Sequence, residues 1–183
     1  MKTFIKYIFI ALLLINCNND DDNITDNPID QLPPMTTTGE NTIGCLVNGK
    51  PFTDNGLMNN FYQFVNEEYF LVINWDKGFS GDFEDGQISI RKTEINQGES
   101  YVLNNDNSSQ IDFIGGSANY TFQNELNSGE FNTNENYYGT ITFTRFDTDN
   151  QIMSGIFNFQ AEDNATGETI SITNGRFDLT FTN

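Results

Sequence analysis

Apolar and polar residues alternate along most of the chain beyond residue 43, a period of two that predicts β-strands. Segment 69–75 carries apolar side chains on both faces, which is typical of a strand in the interior of a sheet. Asn48-Gly49, between two short apolar runs, is a strong signal for a tight hairpin turn. Further strands are predicted at 61–65, 87–92, 100–103, 111–114, 118–122 and 137–146. Since no helix of three turns can be traced beyond residue 16, the pattern favours an all-β fold.

The C-terminal third predicts a three-stranded meander, with strands at 156–160, 169–173 and 176–181. A two-residue turn at Asn174-Gly175 would fix the register of the last two strands. This register places Ser171, Arg176 and Asp178 on the solvent side, with Arg176 and Asp178 as a surface ion pair. The residues predicted to point into the core are Phe157, Phe159, Ile170, Ile172, Phe177 and Leu179.

These strands predict a single domain over residues 41–183, either an antiparallel β-sandwich or a lipocalin-like β-barrel of about 9–11 strands. Segments 76–86 and 124–136 are polar and turn-rich, so we expect loops there. The first holds several acidic residues, but it lacks the ligand spacing of an EF-hand. We therefore favour a solvated loop over a calcium site.

The N-terminal segment has the features of a secretory signal. Lys2 and Lys6 precede a nearly continuous apolar run from Phe4 to Ile15, which is too short to span a bilayer. With Leu14 three residues before it, Cys17 resembles the lipobox cysteine of bacterial lipoproteins. The resemblance implies a signal peptide over 1–16, cleavage before Cys17, and acylation of its thiol and new amino group. Asn16 departs from the small residue usual at the cleavage position, and an ordinary signal peptide is the alternative.

Residues 17–40 contain six acidic residues, no basic ones and several prolines. Low hydrophobicity and high charge predict a disordered tether between the lipidated cysteine and the domain. Its acidic run, Asp20-Asp21-Asp22, is similar to the export signal of surface lipoproteins of the Bacteroidota. Simple solvation of the tether is the alternative interpretation.

Charge and composition exclude several classes of function. The 183 residues carry a formal charge of −18, and without the signal six basic residues face 26 acidic ones. A surface of this charge is unsuited to nucleic acid, since phosphate binding needs clustered lysine and arginine. Histidine is absent, which excludes Ser-His-Asp triads, Cys-His pairs and zinc sites that need imidazole. Cys45 lies in an apolar strand, so we expect a buried, unreactive thiol.

Both ends of the predicted domain carry a resemblance to a known family. Segments 154–159 and 170–178 resemble the C-terminal signature of a lipoprotein family of the Bacteroidota. Segment 44–52 is similar to the opening strand of that family. The resemblance implies a lipid-anchored β domain, and it implies no activity, because none is assigned to the family.

The sequence favours an outer-membrane lipoprotein, exposed on the cell surface or else on the periplasmic face, that acts as a binding or accessory module for an unknown ligand. A glycan or an envelope protein would be its partner, and we expect no cofactor and no enzymatic activity. A structural envelope component without a small ligand is the alternative. A carboxylate-based glycoside hydrolase, which needs only two acidic residues, is the less favoured third. Candidate ligand-stacking residues are Tyr62, Tyr69, Trp75, Tyr101, Tyr120, Tyr137 and Tyr138.

Overall fold

The structure is a computed structural model that describes residues 27–54, 59–79, 81–106 and 112–183. The signal segment and Cys17 lie outside these residues. The described chain forms one short 3-10 helix, Pro28–Gln31, and eleven strands. The strands are β1 (Thr42–Val47), β2 (Lys50–Asp54), β3 (Phe61–Val65), β4 (Glu68–Phe79), β5 (Asp82–Arg91), β6 (Ser100–Asn105), β7 (Gly115–Gln123), β8 (Ser128–Asn132), β9 (Gly139–Asp147), β10 (Ile152–Glu162) and β11 (Thr169–Thr180). The all-β prediction is confirmed.

The strands form a single mixed sheet in the order β2-β1-β11-β10-β9-β6-β7-β5-β4-β3, with β8 paired to β7 and β10. All pairs are antiparallel except β6–β7, which is parallel. The prediction of a wholly antiparallel domain was wrong at this pair. Residues 112–114 form no strand, so the strand predicted at 111–114 is not found in the described chain, and β7 runs beside β6. Gly116 permits this pairing, because a Cβ there would lie 2.5 Å from the carbonyl oxygen of Val102.

The sheet curves over one core, and its β3 end meets the segment that follows β11. Phe61 pairs with Thr182 in a parallel bridge, and the Tyr62 N–H donates to the Thr182 carbonyl at 2.9 Å. Trp75, which is fully buried, packs against Phe157 with 5.3 Å between ring centroids. The six residues predicted to face the core are all buried, with at most 5% exposure, which confirms that prediction.

The predicted Asn174-Gly175 hairpin was wrong. Both residues lie inside β11, which runs without interruption from Thr169 to Thr180. The register with β10 shifts between Phe157 and Phe159, so the strand is bulged at this point. One extra residue in a strand shifts the alternation of inward-facing and outward-facing side chains by one position. A two-residue turn between two paired strands would place Ile172 and Phe177 on the same face as well. Ile172 and Phe177 therefore both face the core although no turn separates them.

Two segments predicted as loops contain strands. Within segment 76–86, residues 76–79 and 82–86 form the paired ends of β4 and β5, where Lys77 lies opposite Glu84. Segment 124–136 contains β8, where Phe131 is buried and stacks on Phe122. β8 is held by antiparallel pairing with β7 and by the burial of Phe131. The hairpin predicted at Asn48-Gly49 is confirmed, and both residues have positive φ, 47° and 80°.

Residues 27–40 differ from the disordered tether predicted there, since they are ordered against the domain. The Asn27 side chain caps the 3-10 helix by accepting from the Ile29 N–H, and Leu32 is buried. Thr38, Gly39 and Glu40 donate their backbone N–H groups to the carboxylate of Asp178.

Asp178 is 1% exposed, so the prediction that it lies in a surface ion pair with Arg176 was wrong. The guanidinium of Arg176 instead donates to the carbonyl oxygens of Asn174 and Pro33. Asp178 accepts from the Ser154 hydroxyl at 2.7 Å as well as from the three N–H groups. Burial alone would raise the pKa of Asp178, but hydrogen bonds to its carboxylate, among them those from Ser154, Gly39 and Thr38, outweigh it and lower the pKa to about 2.

Cys45 is 1% exposed, as predicted for a buried thiol. Burial, with a smaller effect of the Glu84 charge, raises the pKa of its thiol to about 12. The thiol therefore stays protonated and unreactive at neutral pH.

In the part of the chain that the structure describes, no helix has the length and apolar character needed to cross a bilayer.

Candidate functional site

An open cleft of about 400 Å³ lies where the β1–β2 turn approaches β4, β5 and β7. We call it the lysine cleft. The residues that give it its chemistry are Lys50, Phe52, Lys77, Glu84, Tyr120 and Phe122. The ladder of the sheet fixes the positions of the residues from β4, β5 and β7 relative to one another, and the curvature of the sheet brings β2 beside them.

The floor of the lysine cleft is aromatic. Phe52 and Tyr120 are almost fully buried, at 1% and 2% exposure, and Phe122 is half-buried beside them. Alternation along β7 places Tyr120 and Phe122 on the core side. Phe52 and Tyr120 thus form the buried base of the cleft, and the half-buried Phe122 offers ring surface to an apolar group that enters it.

Tyr120 and Glu84 form a fixed polar pair in the wall of the cleft. The Tyr120 hydroxyl donates to the Glu84 carboxylate, with 2.7 Å between the oxygens. Burial, and then the neighbouring Glu84 carboxylate, raise the pKa of Tyr120, so the phenol stays protonated. The hydrogen bond orients Glu84 and occupies one of its acceptor positions.

Lys50 and Lys77 bring positive charge to the cleft. The Lys77 ammonium lies 5.9 Å from the centroid of the Phe52 ring, a cation–π distance. Among the described residues the ion pairs are formed by Lys92 and Arg145, and neither cleft lysine takes part in one. Two of the six basic residues beyond the signal thus lie at one cleft without a carboxylate partner in the described structure.

Two further clefts differ in chemistry. One of about 550 Å³ lies between the β7–β8 hairpin and residues 163–166, and it is lined by Glu130, Asn132 and Asp163 among others. The other, of about 510 Å³, lies beside β3 and is lined by Phe64 and Val65. Within the described ranges there is no group of three or more histidine, cysteine, aspartate or glutamate side chains that could hold a metal ion.

The aromatic residues singled out in the sequence are mostly not at a ligand site. Trp75 is fully buried, and Tyr62 is 8% exposed with its hydroxyl accepting from the Ile95 N–H. Tyr138 is 58% exposed. Tyr69, Tyr101 and Tyr137 are half-buried, and of the seven residues only Tyr120 lines the lysine cleft. Sequence reasoning missed Lys50, Lys77 and Glu84, although the scarcity of basic residues was a signal for the two lysines.

Comparison with known protein families places the chain in one of them. The family described as "Domain of unknown function (DUF6252)" matches residues 58–178, about two thirds of the chain. The search of curated proteins and the search of solved structures found no match. The family description assigns no activity, so the function is inferred from the residues of the clefts.

Proposed function

Because this chain belongs to the DUF6252 family, whose description assigns no activity, we propose from the sequence and the cleft geometry of the chain that it is a lipid-anchored binding module. The ligand occupies the lysine cleft and combines an anionic group with an apolar, ring-sized part. The observation that carries this proposal is a pair of lysines that form no ion pair with any described residue, above an aromatic floor, in a chain whose formal charge is −18.

The ligand chemistry follows from the two layers of the cleft. An ammonium group without a carboxylate partner attracts an anion, and the attraction strengthens as the ligand displaces water from the cleft. Burial of apolar area against the rings adds about 25 cal/mol for each Å² removed from water. The overall negative charge repels large anions, whereas a small ligand lies within about 8 Å of the lysines, where screening is still incomplete. These terms favour a small organic acid over a polyanion.

A binding role fits the cleft better than glycoside hydrolysis. That chemistry uses two carboxyl groups that flank the scissile bond, about 5–9.5 Å apart. Glu84 is the one acidic side chain among the described residues that line the lysine cleft, and Tyr120 already binds it. We therefore assign Glu84 and Tyr120 a structural role in the wall of the lysine cleft and no role in bond cleavage.

The first prediction concerns binding at the cleft. In a titration followed by NMR, 4-phenylbutyrate should shift the signals of the cleft residues, whereas neutral 4-phenylbutanol should bind about tenfold or more weakly because it cannot pair with the lysines. Lys50→Gln and Lys77→Gln should each weaken phenylbutyrate binding and leave phenylbutanol binding nearly unchanged. Lys92→Gln, which removes a cation that is ion-paired elsewhere, serves as the matched control.

Equal binding of the acid and the alcohol would show that the lysines do not select the ligand. Equal loss of binding in the Lys92→Gln variant would assign the effect to general electrostatics. Either result contradicts the proposal.

The anchor part of the proposal rests on the sequence around Cys17. Leu14 and Cys17 match a lipobox, and acyl chains contribute about 0.8 kcal/mol for each buried CH₂ group. Asp20-Asp21-Asp22 supports export to the cell surface of the outer membrane, and the periplasmic face of that membrane is the alternative location.

The second prediction tests the anchor. Cells grown with labelled palmitate should incorporate it into the wild type but not into Cys17→Ala, because that substitution removes the acylated thiol. Cys45→Ala is the control, since the Cys45 thiol is buried and should carry no lipid. Equal labelling of the wild type and Cys17→Ala would exclude lipidation at Cys17.

A further inference from the structure

The lysine cleft holds a carboxylate as well as its two lysines. Lys77 and Glu84 lie directly opposite each other on β4 and β5, and both line the cleft. Opposite residues of an antiparallel pair have Cβ atoms about 4.5–5.5 Å apart, so opposite charges at such positions are within reach of each other. The ion pairs of the described residues nevertheless do not include one between Lys77 and Glu84. The cleft therefore presents a positive and a negative group that do not neutralise each other.

A separate contact holds each of these two charges. The Lys77 ammonium lies over the Phe52 ring, and the Glu84 carboxylate accepts from the Tyr120 hydroxyl at 2.7 Å. A carboxylate has about four acceptor positions, and Tyr120 uses one of them. Within the described chain no other hydrogen bond is made to the Glu84 side chain, which is half-buried. Glu84 can therefore accept from a donor group of a ligand.

The charge of the whole protein distinguishes two kinds of ligand. A simple carboxylate is attracted by the lysines, but it brings its charge close to Glu84 and into a chain of formal charge −18. A ligand with a carboxylate and an ammonium on the same carbon has no net charge, so the field of the protein does not repel it. Its two groups are separated by a short distance, as are the opposite residues Lys77 and Glu84. Both groups of such a ligand therefore find a partner of opposite charge.

We propose that the ligand of the lysine cleft is an α-amino acid with an aromatic or large aliphatic side chain. This inference rests on the proposed binding function and adds an amino group to the anionic and apolar parts of the ligand. The carboxylate pairs with Lys77 or Lys50, and the ammonium donates to Glu84, which binds ligand in addition to its structural role in the wall. The side chain of the ligand lies on the half-buried Phe122. Tyr120 is a positioning residue, because its hydroxyl holds the Glu84 carboxylate in place.

The experiment compares four small molecules in NMR titrations of the protein without its signal segment. Phenylalanine and 3-phenylpropionate share one skeleton and differ only in the amino group. Phenylalanine should bind about tenfold or more tightly, because its ammonium gains a charged acceptor. 3-Phenyllactate, which has a hydroxyl in place of the ammonium, should bind no more tightly than 3-phenylpropionate. 2-Phenylethylamine, which lacks the carboxylate, should bind about tenfold or more weakly than phenylalanine.

A variant of the carboxylate assigns the effect to one residue. Glu84→Gln keeps the shape of the side chain and removes its charge, so the ratio of the dissociation constants of 3-phenylpropionate and phenylalanine should fall close to one. Asp149→Asn is the matched control, since it removes an equal charge from an exposed turn and should leave the ratio unchanged. Thermal unfolding of both variants checks that each is folded.

The outcomes separate this inference from the proposed function. If 3-phenylpropionate shifts the signals of the cleft residues and phenylalanine binds no more tightly, the amino group is not recognised and the inference is wrong, while the proposed function stands. A ratio in Glu84→Gln as large as that of the wild type would also overturn the inference. If neither molecule shifts the cleft signals, the proposed function itself is contradicted, and the inference falls with it.

Discussion

Replacing Asp178 by alanine should lower the free energy of unfolding by about 3–5 kcal/mol, because it removes one carboxylate that serves four donors. The Ser154 hydroxyl and the N–H groups of Thr38, Gly39 and Glu40 would all lose their acceptor. Three of these donors belong to the segment that precedes β1, so the variant should also release that segment. Urea unfolding measures the first effect, and hydrogen exchange of the amides of residues 38–40 measures the second.

The same carboxylate makes stability depend on pH. Its pKa is lowered from 3.8 to about 2 in the folded protein, so the folded state favours the ionised form. The stabilisation, about 2–3 kcal/mol from this shift, is fully present above pH 4 and is lost as the pH falls through about 2. The Asp178→Asn variant, which keeps the shape without the charge, should lose this acid-dependent component.

Asp149→Ala is the matched control for Asp178, since it removes an exposed carboxylate in the turn between β9 and β10. It should change stability by no more than about 0.5 kcal/mol. If Asp178→Ala proved as mild as Asp149→Ala, the carboxylate would not hold the N-terminal segment.

Gly175→Val should destabilise the protein by about 3 kcal/mol or more, through a steric clash inside the core. A Cβ at Gly175 would lie 2.6 Å from the ring and the carbonyl oxygen of Phe157. Phe157 is 2% exposed and packs against Trp75, so it has no room to withdraw. Trp75 is the single tryptophan of the chain, and its fluorescence reports the unfolding transition in urea.

Two further variants test the close approach of Gly175 to Phe157. Gly175→Ala should also be strongly destabilising, because even one methyl group meets Phe157. Asn174→Gly should be tolerated, since Asn174 holds the positive φ of 53° that glycine adopts freely. A harmless Gly175→Ala would contradict the close approach of β10 and β11 at this bulge.

The sequence was sufficient to predict most of the strands and the six core residues of the C-terminal third, because burial imposes a period of two that is visible in the residues themselves. The Asn174-Gly175 pair shows the limit of this reasoning. A turn and a one-residue bulge both reverse the alternation, so the inward positions of Ile172 and Phe177 follow from either. Only the partner strand, in which Phe157 faces Gly175, distinguishes them.

The alternation of apolar and polar residues does not predict contacts between distant parts of the chain. Nothing in the neighbours of Asp178 shows that residues 38–40, about 140 positions earlier, supply its donors. The same holds for the lysine cleft, where Lys50 and Lys77 come from strands that are not adjacent in the sheet. Basic residues are scarce in this acidic chain, so the two lysines are unusual in the sequence. Their meeting at one cleft depends on the curvature of the sheet, which the sequence pattern does not show.

A crystal structure of the protein soaked with 4-phenylbutyrate tests the central claim most directly. We predict that the carboxylate lies within hydrogen-bonding distance of the ammonium groups of Lys50 or Lys77, at about 2.7–3.2 Å, with the phenyl ring against Phe52, Tyr120 or Phe122. A ligand seated elsewhere, or an empty lysine cleft at ligand concentrations that saturate the NMR titration, would contradict the account.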